Sequence, residues 1–447
     1  MTRPRPYREP DNWRDRTHLF VAALYVCMGL LVFSCVWHCL FARRHVTGWA
    51  MPPDPLPPAP PTEQSDIAAL TGGKRRSYPR PTTRAPDFPR SGPFAAARES
   101  AYAGAWGAAY LAIRGTAARE PGSADRYAFV LSAYYAGRYA EAYPGARQLA
   151  ETGLGGWPGN PSPRDMANTI EDLALVVPRC YTVRDRAGRE LYVLYVGSDA
   201  SMARRMAPYG GEAFQAACRA VPGSGAAQAM VTPIPVYSLP SYKDWLRFCR
   251  VLGRTDMVKA WGGTPELSIA ARDETERGEP PCNRNVDAGA LLAHETAHVL
   301  ARASGSRWRA CWLPEGVSEA TAAGVDPLRV RWRLEAADER VRADPGSLGR
   351  AIGADTVTDS DYCLFYALEE YTRRTYGEKR LGAFLVDPDA STPKPAESVY
   401  RQHLGVGSRG ICAGTAKWLT SGQWEVDIER DDRQAQRVPA GAPGGRP

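Results

Sequence analysis

Two short segments of this 447-residue chain carry side chains whose types and spacing suit chemistry. Residues 291–300 read LLAHETAHVL, and residues 311–320 read CWLPEGVSEA. His294 and His298 stand four apart, so on a helix both imidazoles project from one face and can reach a single ion. Glu295 sits about 100° round the helix from His294, beside that ion and within reach of its water. A zinc ion there lowers the pKa of the water to about 7, and the carboxylate can take the proton as the water attacks a carbonyl. Beyond residue 45 the only histidines are His294, His298 and His403. Two of three falling into this arrangement is a poor fit to chance. The plainer alternative is a buried helix whose histidines are merely hydrogen-bonded.

Catalytic zinc takes three protein ligands and leaves one position open. Downstream, Pro314 suits a first helical turn, which puts Glu315 and Glu319 one turn apart on the same face. The natural division gives Glu315 to the metal. Glu319 then bonds the far nitrogen of a ligating histidine, fixing its tautomer. Outside this role Glu315 is an ordinary acid at a helix start, favoured by the dipole.

HETAH followed by WLPEGVSEA resembles the glutamate-type zincins, the gluzincin or peptidase-MA-like metallopeptidases, whose third ligand lies in a WLxEG segment. The resemblance runs from about Tyr181 to Trp424 and implies zinc ligands His294, His298 and Glu315, with Glu295 as base. It also implies an oxyanion donor from the C-terminal helical part. Tyr362 is the first candidate, with Tyr366 and His403 behind it. Sixteen residues separate His298 from Glu315, slightly fewer than in the best-known members. The metzincin pattern does not fit, because HVLARASGSRW lacks its glycine and third histidine.

Elements must hold these residues. DAGALLA leads into the motif and VLA leads out, as in a buried amphipathic helix. Upstream, CYTVRDRAGRELYVLYVG alternates as two strands about a DRAGRE turn, Ile234–Leu239 reads as a strand with a helix from Ser241, and PELSIAARDE is another candidate strand. DASMARRMAPYGGEAFQAACRAV reads as a helix that Pro208 and Gly210-Gly211 can interrupt. The expected fold class is α+β, a zincin-like domain over 158–427 with a small mixed sheet, the HExxH helix and a C-terminal helical part. Before it, 96–157 reads as a helical segment. Ala133–Glu151 carries one tetratricopeptide-like helix pair that Pro144 breaks. One such pair suits a cap on the next domain better than a peptide-binding array, though it also offers a protein-partner surface. Residues 428–447 read as a disordered tail.

The N-terminal part concerns location. Leu19–Ala42 contains no Asp, Glu, Lys or Arg and would span roughly 36 Å as a helix, enough for a bilayer. It ends in Arg43-Arg44 without a cleavage site, as an uncleaved anchor would. Five arginines precede it within 1–18, which predicts a cytoplasmic N-terminus and an extracytoplasmic C-terminal part. The proline-dense stretch 43–95 reads as a semi-rigid linker. Residues 1–97 hold 13 basic and 7 acidic residues, so nearly all of the net charge of +7 belongs there. A neutral remainder argues against nucleic-acid binding. No CxxC pair occurs, which removes a cysteine-based zinc ribbon. The expectation is a membrane-anchored zinc metallopeptidase acting on a protein or peptide. The alternative is an inactive zincin-fold scaffold of the cell envelope, and a non-peptide amide is a further substrate class.

Overall fold

A computed structural model describes residues 64–84, 93–102, 106–115, 123–197, 201–221, 232–239, 242–251, 260–263, 268–272, 284–306, 312–358, 360–387 and 397–437. All of them fall within one compact unit, Leu56–Pro447. The calls for 1–18 and for the Leu19–Ala42 anchor lie outside the described residues. Among those described, no helix is long and apolar enough to cross a membrane. The fold is α+β and mostly helical, around one mixed sheet.

Six strands form that sheet in the order β1-β2-β3-β4-β6-β5. β2 (Arg179–Arg184) and β3 (Glu190–Val196) are the expected hairpin. Asp185 closes its turn by accepting the Ala187 and Arg189 amides, and Gly188 takes the left-handed backbone (φ 80°) that the turn requires. β4 (Ile234–Leu239) runs parallel to β3, and β6 (Ser268–Arg272) parallel to β4. The short edge strands β1 (Gln64–Asp66) and β5 (Ala260–Gly263) pair antiparallel with β2 and β6.

Helices cover both faces. Residues of β3 and β4 alternate between two cores, as the two-residue period of a strand demands. Tyr192, Leu194, Val196, Ile234 and Val236 face one core, and Val193, Tyr195, Tyr237 and Leu239 the other. The second core is filled by α1 (Ile67–Thr71), α4 (Ser123–Tyr135), α5 (Tyr139–Glu151), α6 (Pro163–Ala174) and α9 (Tyr242–Val251), with α2 (Pro93–Tyr102) and α3 (Trp106–Ile113) stacked outside α4. The tetratricopeptide-like pair is α4 and α5, and it is a cap whose inner face is spent on the sheet. Its turn glycine, Gly137 (φ 69°), lies so close to Pro235 of β4 that a Cβ would approach to 2.3 Å. Tyr139 and Tyr237 share a hydroxyl hydrogen bond of 2.6 Å beneath it.

Four readings change. Pro144 does not break α5, because buried Tyr143, Ala146, Leu149 and Ala150 outweigh the one backbone bond a proline forfeits. The segment 96–157 is not separate from 158–427, since both contribute to the second core. Within the 43–95 linker, residues 64–84 fold onto the unit instead of standing off it. β1 joins the sheet there, and buried Glu171 accepts the Tyr78 hydroxyl (2.6 Å) and the Arg76 amide (2.7 Å). The expected tail from 428 is helical as far as Arg437, where Ile428 is buried and Asp431 pairs with Arg374 at 2.5 Å.

The first core holds the candidate site. α7 (Ser201–Met206), a 3-10 turn (Ala207–Tyr209) and α8 (Gly210–Ala220) show the expected interruption. Then follow α10 (Arg284–Ala303), α11 (Trp312–Ala323), α12 (Leu328–Ala343), α13 (Ser347–Ile352), α14 (Tyr362–Tyr376), α15 (Glu378–Leu385), α16 (Glu397–Leu404), α17 (Ser408–Thr420) and α18 (Gln423–Arg437). α10 packs against α8 and α11, and α11 packs most extensively against α14.

Candidate metal centre

α10 carries the HETAH motif and is seated by the residue in the middle of it. Thr296 is fully buried, donates to the Leu292 carbonyl at 2.6 Å and shares a 2.9 Å hydrogen bond with the Tyr192 hydroxyl of β3. That contact turns the opposite side of the helix, with His294 and His298, toward α11. α11 is anchored at its start by Trp312, which is buried and donates its indole N–H to Tyr400 of α16 at 3.0 Å. It then passes unusually close to α14 at Gly316, where an added Cβ would lie 2.6 Å from the Phe365 carbonyl oxygen and 2.7 Å from the Glu369 Cβ. Glycine is needed there for the approach of two helices, and Glu315 is the residue next to it.

These contacts bring the three expected ligands together. Nε2 of His294 and Nε2 of His298 lie 3.2 Å apart. Glu315 Oε2 lies 3.3 Å from the first and 3.4 Å from the second. A tetrahedron with zinc–nitrogen and zinc–oxygen bonds of 2.0–2.1 Å has edges of about 3.3–3.4 Å. The three atoms therefore have the separations of one face of such a tetrahedron. Glu315 Oε2 is also a buried oxygen without a well-formed hydrogen bond, despite its nearness to both rings. Two imidazoles and a carboxylate are a donor set that zinc takes. Among the described residues this cluster could hold a metal ion.

Glu319 lies one turn beyond Glu315, against the ring of His294. His294 Nδ1 lies 3.1 Å from Glu319 Oε1, so a proton held there would leave Nε2 as the atom available to an ion beside Glu315 and His298. The other oxygen, Oε2, accepts from Arg333 Nε at 2.7 Å and from Arg329 Nε at 3.4 Å. Neither arginine was anticipated. They lie four apart on α12, so they share a face, and that i, i+4 spacing was the only available signal.

Without an ion, charge balance in the cluster falls on protons. Burial would lower the His294 pKa, but the carboxylates of Glu315 and Glu319 beside its ring nitrogens outweigh it and raise it to about 10. Burial would raise Glu315, yet His298 and His294 hold it well below the usual carboxylate range. Glu319 is brought down to about 2, because His294, Arg329 and Arg333 overcome its burial. Glu295 goes the other way. It is buried, and desolvation raises its pKa against the opposing pull of both histidines. A carboxyl displaced in this direction is a stronger proton acceptor than an exposed one.

Of the three oxyanion candidates, the structure brings one to the cluster. Tyr362 opens α14, half-buried, with its ring 5.9 Å from the His294 ring. Tyr366, one turn on, is buried and has Glu369, Glu370, Arg373 and Arg374 as its charged neighbours, so it is a core residue. His403 pairs with Asp387 and packs on Phe384, away from the donor set. Comparison of the sequence with known family models and with curated proteins finds no match. The chemistry of the site therefore rests on its own residues.

Proposed function

We propose that this protein is a zinc metallopeptidase of the gluzincin kind, with a zincin-like fold over its catalytic part. The observation that carries the reading is the triangle of His294, His298 and Glu315 donor atoms, with separations of 3.2–3.4 Å, beside a buried glutamate. Held by these three residues, zinc supplies a Lewis acid that polarises the scissile carbonyl and acidifies water. Glu295 accepts the proton that the attacking water loses and hands it to the departing amine, a task that its raised pKa favours. Glu319 keeps His294 in the tautomer that leaves Nε2 unprotonated. Tyr362 offers a phenolic hydrogen to the developing oxyanion. A protein or peptide substrate agrees with this set of roles. The charge-free run Leu19–Ala42 and the arginines before it support a single-pass anchor, with the folded unit outside the cytoplasm.

The test pairs metal analysis with proteolysis of a peptide library by the full chain and by Glu295→Gln. Bound zinc in both proteins, with cleavage about 10²–10⁴-fold slower in the variant, supports the proposal. Zinc without Glu295-dependent cleavage would identify an inactive scaffold. Absence of stoichiometric zinc would remove the metal centre itself.

A further inference from the structure

The arginines behind Glu319 reach further than that carboxylate. Arg333 donates to Glu319 Oε2 at 2.7 Å, and its guanidinium carbon lies 5.6 Å from the centre of the Tyr362 ring. Each of those two partners touches His294. Glu319 does so through Nδ1 at 3.1 Å, and Tyr362 through ring contact at 5.9 Å. The same guanidinium lies 4.6 Å from the ring of Trp332, its neighbour on α12. Trp332 is 57% exposed, a large apolar ring at the surface of this helix. An indole over a cation accounts for it.

We infer that Arg333 is a positioning residue of the proposed metal centre, fixing Glu319 and Tyr362 together against His294. The inference rests on the metal-centre reading above. A carboxylate bonded to His294 through Oε1 alone can swing about its last carbon–carbon bond. Committing Oε2 to Arg333, with Arg329 at 3.4 Å, removes that freedom and hence sets the plane of the imidazole. This is not an ordinary surface ion pair, which contributes little. The Arg333 and Glu319 side chains are 11% and 4% exposed. The planar fork of arginine can bond an oxygen at its edge while its face lies against a ring, and a lysine ammonium cannot do both.

The experiment measures zinc affinity by chelator competition, and the visible spectrum of the cobalt-substituted protein, in the full chain. Arg333→Ala should weaken zinc binding by at least about tenfold, the lower end for outer partners of a metal site, and shift the cobalt bands. Arg333→Lys should recover only part of the loss. In a Glu319→Gln background the further cost of Arg333→Ala should shrink to about threefold or less, because the two act as one unit. Trp332→Ala serves if Arg333→Ala does not fold. It should weaken zinc binding by about two- to threefold while the melting temperature of the metal-free protein stays unchanged. The inference is overturned if Arg333→Ala binds zinc within about twofold of wild type with an unaltered cobalt spectrum. Full additivity with Glu319→Gln overturns it too, as does wild-type affinity in Trp332→Ala where Arg333→Ala is unfolded. Wild-type protein that binds no zinc sinks the metal-centre reading beneath it, a result distinct from the others.

Discussion

Gly316→Ala tests how the third ligand is held. The new Cβ would stand 2.6 Å from the Phe365 carbonyl oxygen and 2.7 Å from the Glu369 Cβ. Carbon–carbon contact is comfortable at about 3.5–4.0 Å, so α11 must retreat from α14 by about 1 Å at this point. Neither obstacle can yield cheaply, since one is backbone and the other the root of a buried side chain on α14. Overpacking of this kind costs about 1–3 kcal/mol, and the better helix propensity of alanine returns about 1 kcal/mol. The expected net loss is up to about 2 kcal/mol. Glu315 is the preceding residue and moves with the backbone, whereas a zinc site tolerates displacement of only about 0.2 Å. Zinc affinity should therefore fall by tenfold or more on the order expected for a disturbed site. Urea denaturation of the metal-free variant reads the first effect and chelator competition the second. Gly349→Ala is the control, because nothing lies within 4 Å of its Cβ position, and it should be neutral or stabilising by up to about 1 kcal/mol. A Gly316→Ala protein with wild-type denaturation midpoint and wild-type zinc affinity would refute the reasoning.

Zinc and protons should compete at His294. In the metal-free protein its pKa is raised from 6.5 to about 10, so its contribution to stability is full below pH 6.5 and is lost as pH climbs toward 10. Zinc must displace that proton, so apparent affinity should strengthen across the same window, with proton release visible by calorimetry in buffers of different ionisation heat. A heat of binding independent of buffer would contradict this. Glu369 is a second pH-sensitive group. Burial, with Glu370 adding and Arg373 opposing, raises it to about 8. The folded state thus keeps a proton that the unfolded chain loses above about pH 4.5, and stability falls as pH rises through that interval. Glu369→Gln should flatten the slope and be the more stable protein above pH 8, and equal slopes in denaturation between pH 5 and 8.5 would count against it. Finally, a chain starting at residue 158 should be insoluble, because it uncovers Val193, Tyr195, Tyr237 and Leu239, and a soluble monomer on gel filtration would disprove the shared core.

The central strands and the site helix were legible because each has a strong local signal. The DRAGRE turn carries its own closing aspartate and glycine, and Ile234–Leu239 is a bounded apolar run. His294, His298, Glu315 and Glu319 could be placed because i, i+4 spacing fixes a helix face before any tertiary contact is known. What escaped has no such local mark. β1 is three residues amid proline-rich sequence, and it is a strand only because β2 offers an edge. Residues 64–84 are held by Glu171, more than ninety positions away from Tyr78 and Arg76. Pro144 and the helix beyond residue 428 were misread for one reason: local composition was weighed without the burial of Tyr143, Leu149 and Ile428. Arg329 and Arg333 have no local mark that sets them apart from the other arginines of their helix.

The two cores of the unit meet across β3 and β4, and that links the helical cap to the proposed site. On β3, Tyr195 points into the core shared with α4 and α5, stacked at 5.3 Å on Tyr237 and lying 5.1 Å from Tyr139. Tyr192, three residues earlier, points the other way and holds Thr296 inside the HETAH motif. A strand held at Tyr195 by Tyr139 and Tyr237 on one face cannot shift its register without moving the hydroxyl that seats α10 on the other. The remaining supports come from elsewhere, with Trp312 tied to Tyr400 and Gly316 pressed against Phe365. Trp312 and Gly316 thus seat α11 through residues separate from those that seat α10 at Thr296, and the His294–Glu319 contact joins the two helices at the site. Donor separations held to 3.2–3.4 Å require such support, because rigid backing on several sides limits displacement to the few tenths of an ångström that metal binding tolerates. The cap therefore acts on the proposed metal centre as a buttress, through the sheet, without reaching it.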